Sequence, residues 1–189
     1  MRYLLRHGVD LNVRNTEDDT PLLLASLEGH IDVIQYLADH GADFNLCDEY
    51  HNSPLILAVC NGHVDIVRML LEHSADVNSQ DHRDQTALHD VINRRTIKVN
   101  RSQIVRLLLK HGANANARDQ RHRTPLHLVS KLPDSPDSLD VLGMLLEHGA
   151  DLDAEDKGGK TPLQLSLDGK HHEVTRLLTE YSIAKPTSR

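Results

Sequence analysis

Apolar and polar positions along this chain follow one pattern that restarts five times. In the stretch from Asn15 to Asp48, Thr20 is placed to cap a helix and Pro21 takes its first position, where a missing N–H costs nothing. Leu22, Leu24 and Ala25 supply an apolar stripe, and Gly29-His30 then breaks and reverses the chain. A second helix is predicted to bury Ile31, Val33, Ile34 and Leu37 at helical spacing. His40-Gly41 ends it, glycine taking the left-handed conformation that a side chain resists. Asp43-Phe44-Asn45 leads into an extended hairpin that opens the next unit.

The helix starts read Thr20-Pro-Leu-Leu-Leu-Ala25, Ser53-Pro-Leu-Ile-Leu-Ala58, Thr86-Ala-Leu-His-Asp-Val91, Thr124-Pro-Leu-His-Leu-Val129 and Thr161-Pro-Leu-Gln-Leu-Ser166, in steps of 33, 33, 38 and 37 residues. A second motif keeps phase with them, at His7-Gly8, His40-Gly41, His73-Ser74, His111-Gly112 and His148-Gly149. A period near 33 carrying T-P-L-H-x-A resembles the ankyrin repeat family. The resemblance implies an all-α repeat solenoid, with stacked helix pairs and projecting β-hairpins. Hairpins and first helices would form a concave face that partners occupy.

The units are expected as a half repeat over 1–14, then 15–47, 48–80, 81–118, 119–155 and 156–183, with a tail over 184–189. Met1 aligns with Ile34, inside a second helix, so the parent protein is expected to continue upstream. The more polar last pair, with His172 where earlier units carry Ile31 and Val64, reads as a terminal cap. The family favours glycine two residues before the Thr, where this chain has Asp18, His51, Asp84, His122 and Gly159. Asp and His tolerate left-handed backbone better than most residues, so the turn is expected to survive. The longer steps place insertions within Asn93–Ser102, which carries Arg94, Arg95, Lys98 and Arg101, and within Ser130–Leu139, a short polar loop.

With one Phe, four Tyr and no Trp, the core must come from Leu, Val, Ile and Ala. The net charge of −7 argues against a general affinity for nucleic acid. No apolar run reaches the ~20 residues of a membrane span, and no secretory signal opens the chain. Cys47 and Cys60 lack metal or redox spacing, and Cys60 falls at an exposed helix position; the cytosol or nucleus is the expected compartment. The repeat accounts for most of the 14 histidines, although protonating all of them would move the formal charge from −7 to +7. No nucleophile with its base, phosphate-cradling loop or paired-carboxylate site is present. Neither an enzyme nor a cofactor is expected.

Repeat scaffolds put binding in the positions that folding leaves free, here the hairpin tips and the ends of the first helices. Tip residues by unit are Thr16, Glu17, Asp19; Glu49, Tyr50, Asn52; His82, Arg83, Gln85; Gln120, Arg121, Arg123; and Lys157, Gly158, Lys160. Their formal charges run −2, −1, +1, +2 and +2. The expected function is a monomeric, non-catalytic protein-binding scaffold whose basic end attracts an acidic or phosphorylated segment. Arg121 and Arg123 are the expected anchors, because a guanidinium forks two hydrogen bonds onto a carboxylate or phosphate. Arg83, Arg94, Lys157 and Lys160 add charge, and Tyr50, Leu27 and Leu132 are the apolar candidates. One alternative is a targeting or regulatory arm of a larger protein whose effector domain lies upstream. Another is an anionic-surface or nucleic-acid binder using the Arg94–Arg101 loop.

Overall fold

A computed structural model describes residues 10–93 and 100–184. Among them run ten helices: α1 (Pro21–Glu28), α2 (Ile31–Asp39), α3 (Pro54–Cys60), α4 (Val64–Glu72), α5 (Ala87–Asn93), α6 (Arg101–Lys110), α7 (Pro125–Val129), α8 (Pro136–Glu147), α9 (Pro162–Asp168) and α10 (His172–Ala184). The odd-numbered first helices pack in one row, and the even-numbered second helices pack in another. One core of Leu, Val, Ile and Ala runs between the rows, with Leu55, Ile56, Leu88, Ile104 and Leu126 inaccessible to solvent. This is an all-α repeat solenoid, as the periodicity predicts.

Local chemistry explains where each helix begins and ends. Thr20 Oγ1 accepts from the Leu23 N–H, and Ser53 Oγ accepts from the Ile56 N–H, both at 3.3 Å. Pro21 and Pro54 sit just inside these caps. At the far end of each second helix the motif histidine turns back on its own helix. Nδ1–H of His40, His73, His111 and His148 donates to the carbonyl four residues earlier, at 2.8–2.9 Å. The Met69, Leu107 and Met144 carbonyls also accept the backbone N–H of the same histidine, so the ring adds a second bond at the helix end. Ser74 takes the glycine place after His73 with φ 65°. Asp18, His51, Asp84 and His122 have positive φ, as Gly159 does, so the expected turn is kept in four units without the family's glycine.

Hairpin asparagines staple neighbouring units together. Asn45 Oδ1 accepts from the Asp76 N–H, Asn78 Oδ1 from the Asn114 N–H and Asn116 Oδ1 from the Asp151 N–H, at 2.7–2.8 Å. Asn78 and Asn116 also donate through Nδ2 to the Gly112 and Gly149 carbonyls.

The structure corrects several expectations. The buried face of α1 is Leu22, Leu23, Ala25 and Ser26, while Leu24 is 39% exposed; true helical spacing selects neighbours one, three and four residues on from Leu22. Burial in α2 begins at Ile34 and Leu37, and Ile31 at the helix start stays exposed. Cys60 is buried, because α3 is packed between α1 and α5. The tips are turns rather than strand pairs: the one bridge among the described residues joins Gln80 and Thr86. Within the second insertion, Ser135 caps a helix that already starts at Pro136, so the loop is shorter than expected. Arg101 is not a free loop cation. It is buried, donating through Nε to the Val91 carbonyl and through Nη1 to Asp137 at 2.6 Å.

Candidate functional site: the tips and first helices

Every tip is built around one side chain that precedes the Thr or Ser by five residues. The Oδ1 atoms of Asn15, Asp48, Asp81, Asp119 and Asp156 each accept the backbone N–H groups two and four residues on, at 2.8–3.0 Å. One side chain thus takes both donors that a strand ladder would otherwise use, which is why the tips close as turns. The recurring Asp or Asn at that offset is a sequence signal that the tip residues alone did not reveal. Adjacent tips are then joined through the main chain. The His82 N–H donates to the Tyr50 carbonyl, that of Gln120 to Arg83, and that of Lys157 to Arg121, at 2.9–3.1 Å. The second to fifth tips therefore form a rail that presents one set of variable side chains per unit.

Two histidines lock the first helices to this rail. Nδ1 of His89 accepts from the Thr86 N–H, and its Nε2–H donates to the Arg123 carbonyl at 3.0 Å. His127 repeats the arrangement with Thr124 and the Lys160 carbonyl. Both rings are fully buried. Burial lowers the pKa of each below the ordinary histidine value, outweighing the hydrogen bonds to the next unit's backbone.

Among the described residues, two clefts open between the tips and the first helices. The first, of about 420 Å³, gathers Glu17, Asp19, Leu27, Glu49 and Tyr50 with Leu23, Leu24, Asp48 and Leu57. Tyr50 is 56% exposed and lies beside the His82 ring. Burial, followed by repulsion from Asp48 and Glu17, raises the Asp19 pKa above the usual carboxylate value. Asn52 instead faces its own tip, donating through Nδ2 to Asp48 at 2.8 Å.

The second cleft, of about 530 Å³, is lined by Arg83, Gln85, Asn93, Asp119, Gln120, Arg121 and Arg123. Arg123 is committed here: its Nε and Nη2 both donate to Asp119 Oδ2, at 2.8 and 2.6 Å. Burial of Asp119 opposes ionisation, but the hydrogen bonds from Arg123 prevail and hold its pKa below the ordinary value. Arg121 is exposed and forms no ion pair among the described residues, and Arg83 has only a long contact, Nε to His82 Nε2 at 3.2 Å. Arg83 and Arg121 are thus the arginines of this cleft without a carboxylate partner among the described residues. Further along, Lys157 is exposed, Lys160 pairs with Asp168, and Leu132 is half-buried against the core. Arg94 lies outside the described residues.

Among the described residues no three His, Cys, Asp or Glu side chains group closely enough to hold a metal ion, and no helix is long and apolar enough to cross a membrane. A family model described as ankyrin repeats matches the chain in three copies, over residues 1–81, 77–156 and 95–189. A search of curated proteins returned no match.

Proposed function

The chain belongs to the ankyrin repeat family, and from that premise we propose that it is a non-catalytic scaffold that grips a protein partner along its tips and first helices. Ankyrin repeats generally mediate protein–protein interaction. The partner segment we assign to the C-terminal part of the face is acidic or phosphorylated. The observation that carries this reading is the second cleft, where three arginines meet a single carboxylate already satisfied by one of them. Arg83 and Arg121 on neighbouring tips are the anchors, with Lys157 beyond them. Arg123 serves instead to brace the tip through Asp119.

Such a surface binds without first ordering itself, since the rail and the Asp-centred turns fix the tips before a partner arrives. A random peptide library displayed on phage and selected on the immobilised chain tests the reading. The expected result is enrichment of Asp- and Glu-rich peptides that no longer bind an Arg83→Glu, Arg121→Glu variant of unchanged circular dichroism. Enriched peptides without acidic bias, or acidic peptides that bind the variant equally, refute it.

A further inference from the structure

The second cleft contains a polar group that folding does not use. Gln85 is 5% exposed and lines the cleft, and its side-chain nitrogen has no acceptor among the described residues. Its backbone N–H is already taken by Asp81, so the unused donor belongs to the side chain alone. A buried donor left without a partner is destabilising, and native proteins seldom retain one without a use. Its neighbours are chemically uniform. Arg83 and Arg121 reach the same cleft from successive tips, and Asn93 adds an exposed amide from the end of α5. Gln120 contributes less to this set, because one of its two amide N–H groups already donates to the His82 carbonyl at 2.8 Å.

The charge balance narrows the ligand further. Arg123 neutralises Asp119, leaving two guanidinium charges and two side-chain amides around the opening. One carboxylate offers a single negative charge and two oxygens. A phosphoryl group offers roughly −1.5 to −2 and three acceptor oxygens, which matches two cations and the amide donors beside them. Resting on the acidic-segment reading above, we propose that this cleft is a phosphoryl pocket. It takes the phosphorylated side chain of a partner peptide, Arg83 and Arg121 forking onto the oxygens and the Gln85 amide supplying the inner donor.

The test uses the full chain on a surface and three peptide libraries with randomised flanks, centred on phosphoserine, aspartate or serine. The phosphoserine library is expected to be retained about tenfold more than the aspartate library. Arg121→Gln and Gln85→Leu are each expected to lower that retention about tenfold, the worth of one charge-assisted hydrogen bond. Lys110→Gln, at an exposed site on α6 outside the cleft, removes the same charge and is expected to change retention less than about twofold. Circular dichroism melts show that each variant is folded.

Equal retention of phosphoserine and aspartate libraries, both lost with Arg121→Gln, overturns the phosphoryl pocket and leaves the acidic-segment reading standing. Retention that Arg121→Gln leaves unchanged overturns both. Retention that only Gln85→Leu leaves unchanged removes the amide from the pocket and overturns the proposal as stated. An oligothymidylate probe retained above the phosphoserine library assigns the cleft to nucleic acid and overturns it as well.

Discussion

Replacing His89 and His127 with leucine is expected to make the array both weaker and less sensitive to acid. Leucine fills about the same space, so the loss is chiefly one of hydrogen bonds. His89→Leu strands the buried Thr86 N–H, while the Arg123 carbonyl keeps the Asp119 N–H as a donor and loses only its second bond. At about 1–3 kcal/mol for the unsatisfied N–H and about 1 kcal/mol for the bond lost to the carbonyl, the loss at pH 7.5 is about 2–4 kcal/mol. The pH dependence runs in a definite direction. Both imidazoles have folded-state pKa values below the ordinary 6.5, burial being the main cause. The unfolded chain therefore takes up protons first. Their stabilisation is complete above about pH 6.5 and is lost as pH falls from there towards the folded values. Two such groups steepen the loss by at most about 2.7 kcal/mol per pH unit. Urea denaturation followed by circular dichroism at pH 7.5, 6.5, 5.5 and 5.0 measures this. Wild type is expected to lose stability over that range, and the double leucine variant much less. A wild-type stability that is flat down to pH 5.0, or a double variant that falls as steeply, refutes the assignment of neutral, buried imidazoles.

Other substitutions test other parts of the fold by the same denaturation assay. Asp119→Ala removes the acceptor for two tip N–H groups and leaves Arg123 unpaired, with an expected loss of about 2–4 kcal/mol. Ser74→Gly relieves a side chain at φ 65° and is expected to add about 1 kcal/mol of stability. Gly29→Ala does the reverse: φ is +85° and the new Cβ would meet the His63 ring at 2.9 Å, so a loss of about 1–2 kcal/mol is expected. Asp134→Ala deprives the first turn of α10 of the carboxylate that accepts from the Glu173 and Val174 N–H groups, a loss of about 1 kcal/mol.

Much of this architecture was legible from spacing, because repetition lets each unit test the reading of the others. The cap at Thr20, the reversal at Gly29 and the left-handed Asp18, His51, Asp84 and His122 all follow from local chemistry that the sequence displays. What could not be read depends on contacts between units. Leu23 occupies the place that His89 and His127 fill in later units, so it is buried, whereas Leu24 faces the first cleft. Cys60 owes its burial to helices on both sides, and Arg101 to a carbonyl and a carboxylate 10 and 36 residues away. The site shows the same division. Charge counting put Arg121 and Arg123 together as anchors and could not separate Arg123, which Asp119 holds, from Arg121, which forms no ion pair among the described residues. Nor could composition show that the Gln85 amide is buried without an acceptor.

The main-chain links between the tips need only a peptide N–H, although His82 and Gln120 add side-chain bonds to the preceding tip, and this determines which residues can vary there. Any amino acid with an N–H at positions 82, 120 and 157 preserves the links to Tyr50, Arg83 and Arg121. Proline alone is barred at those three places, because it lacks the donor. Tip side chains can therefore change one unit at a time while the main-chain connection between units is handed on intact.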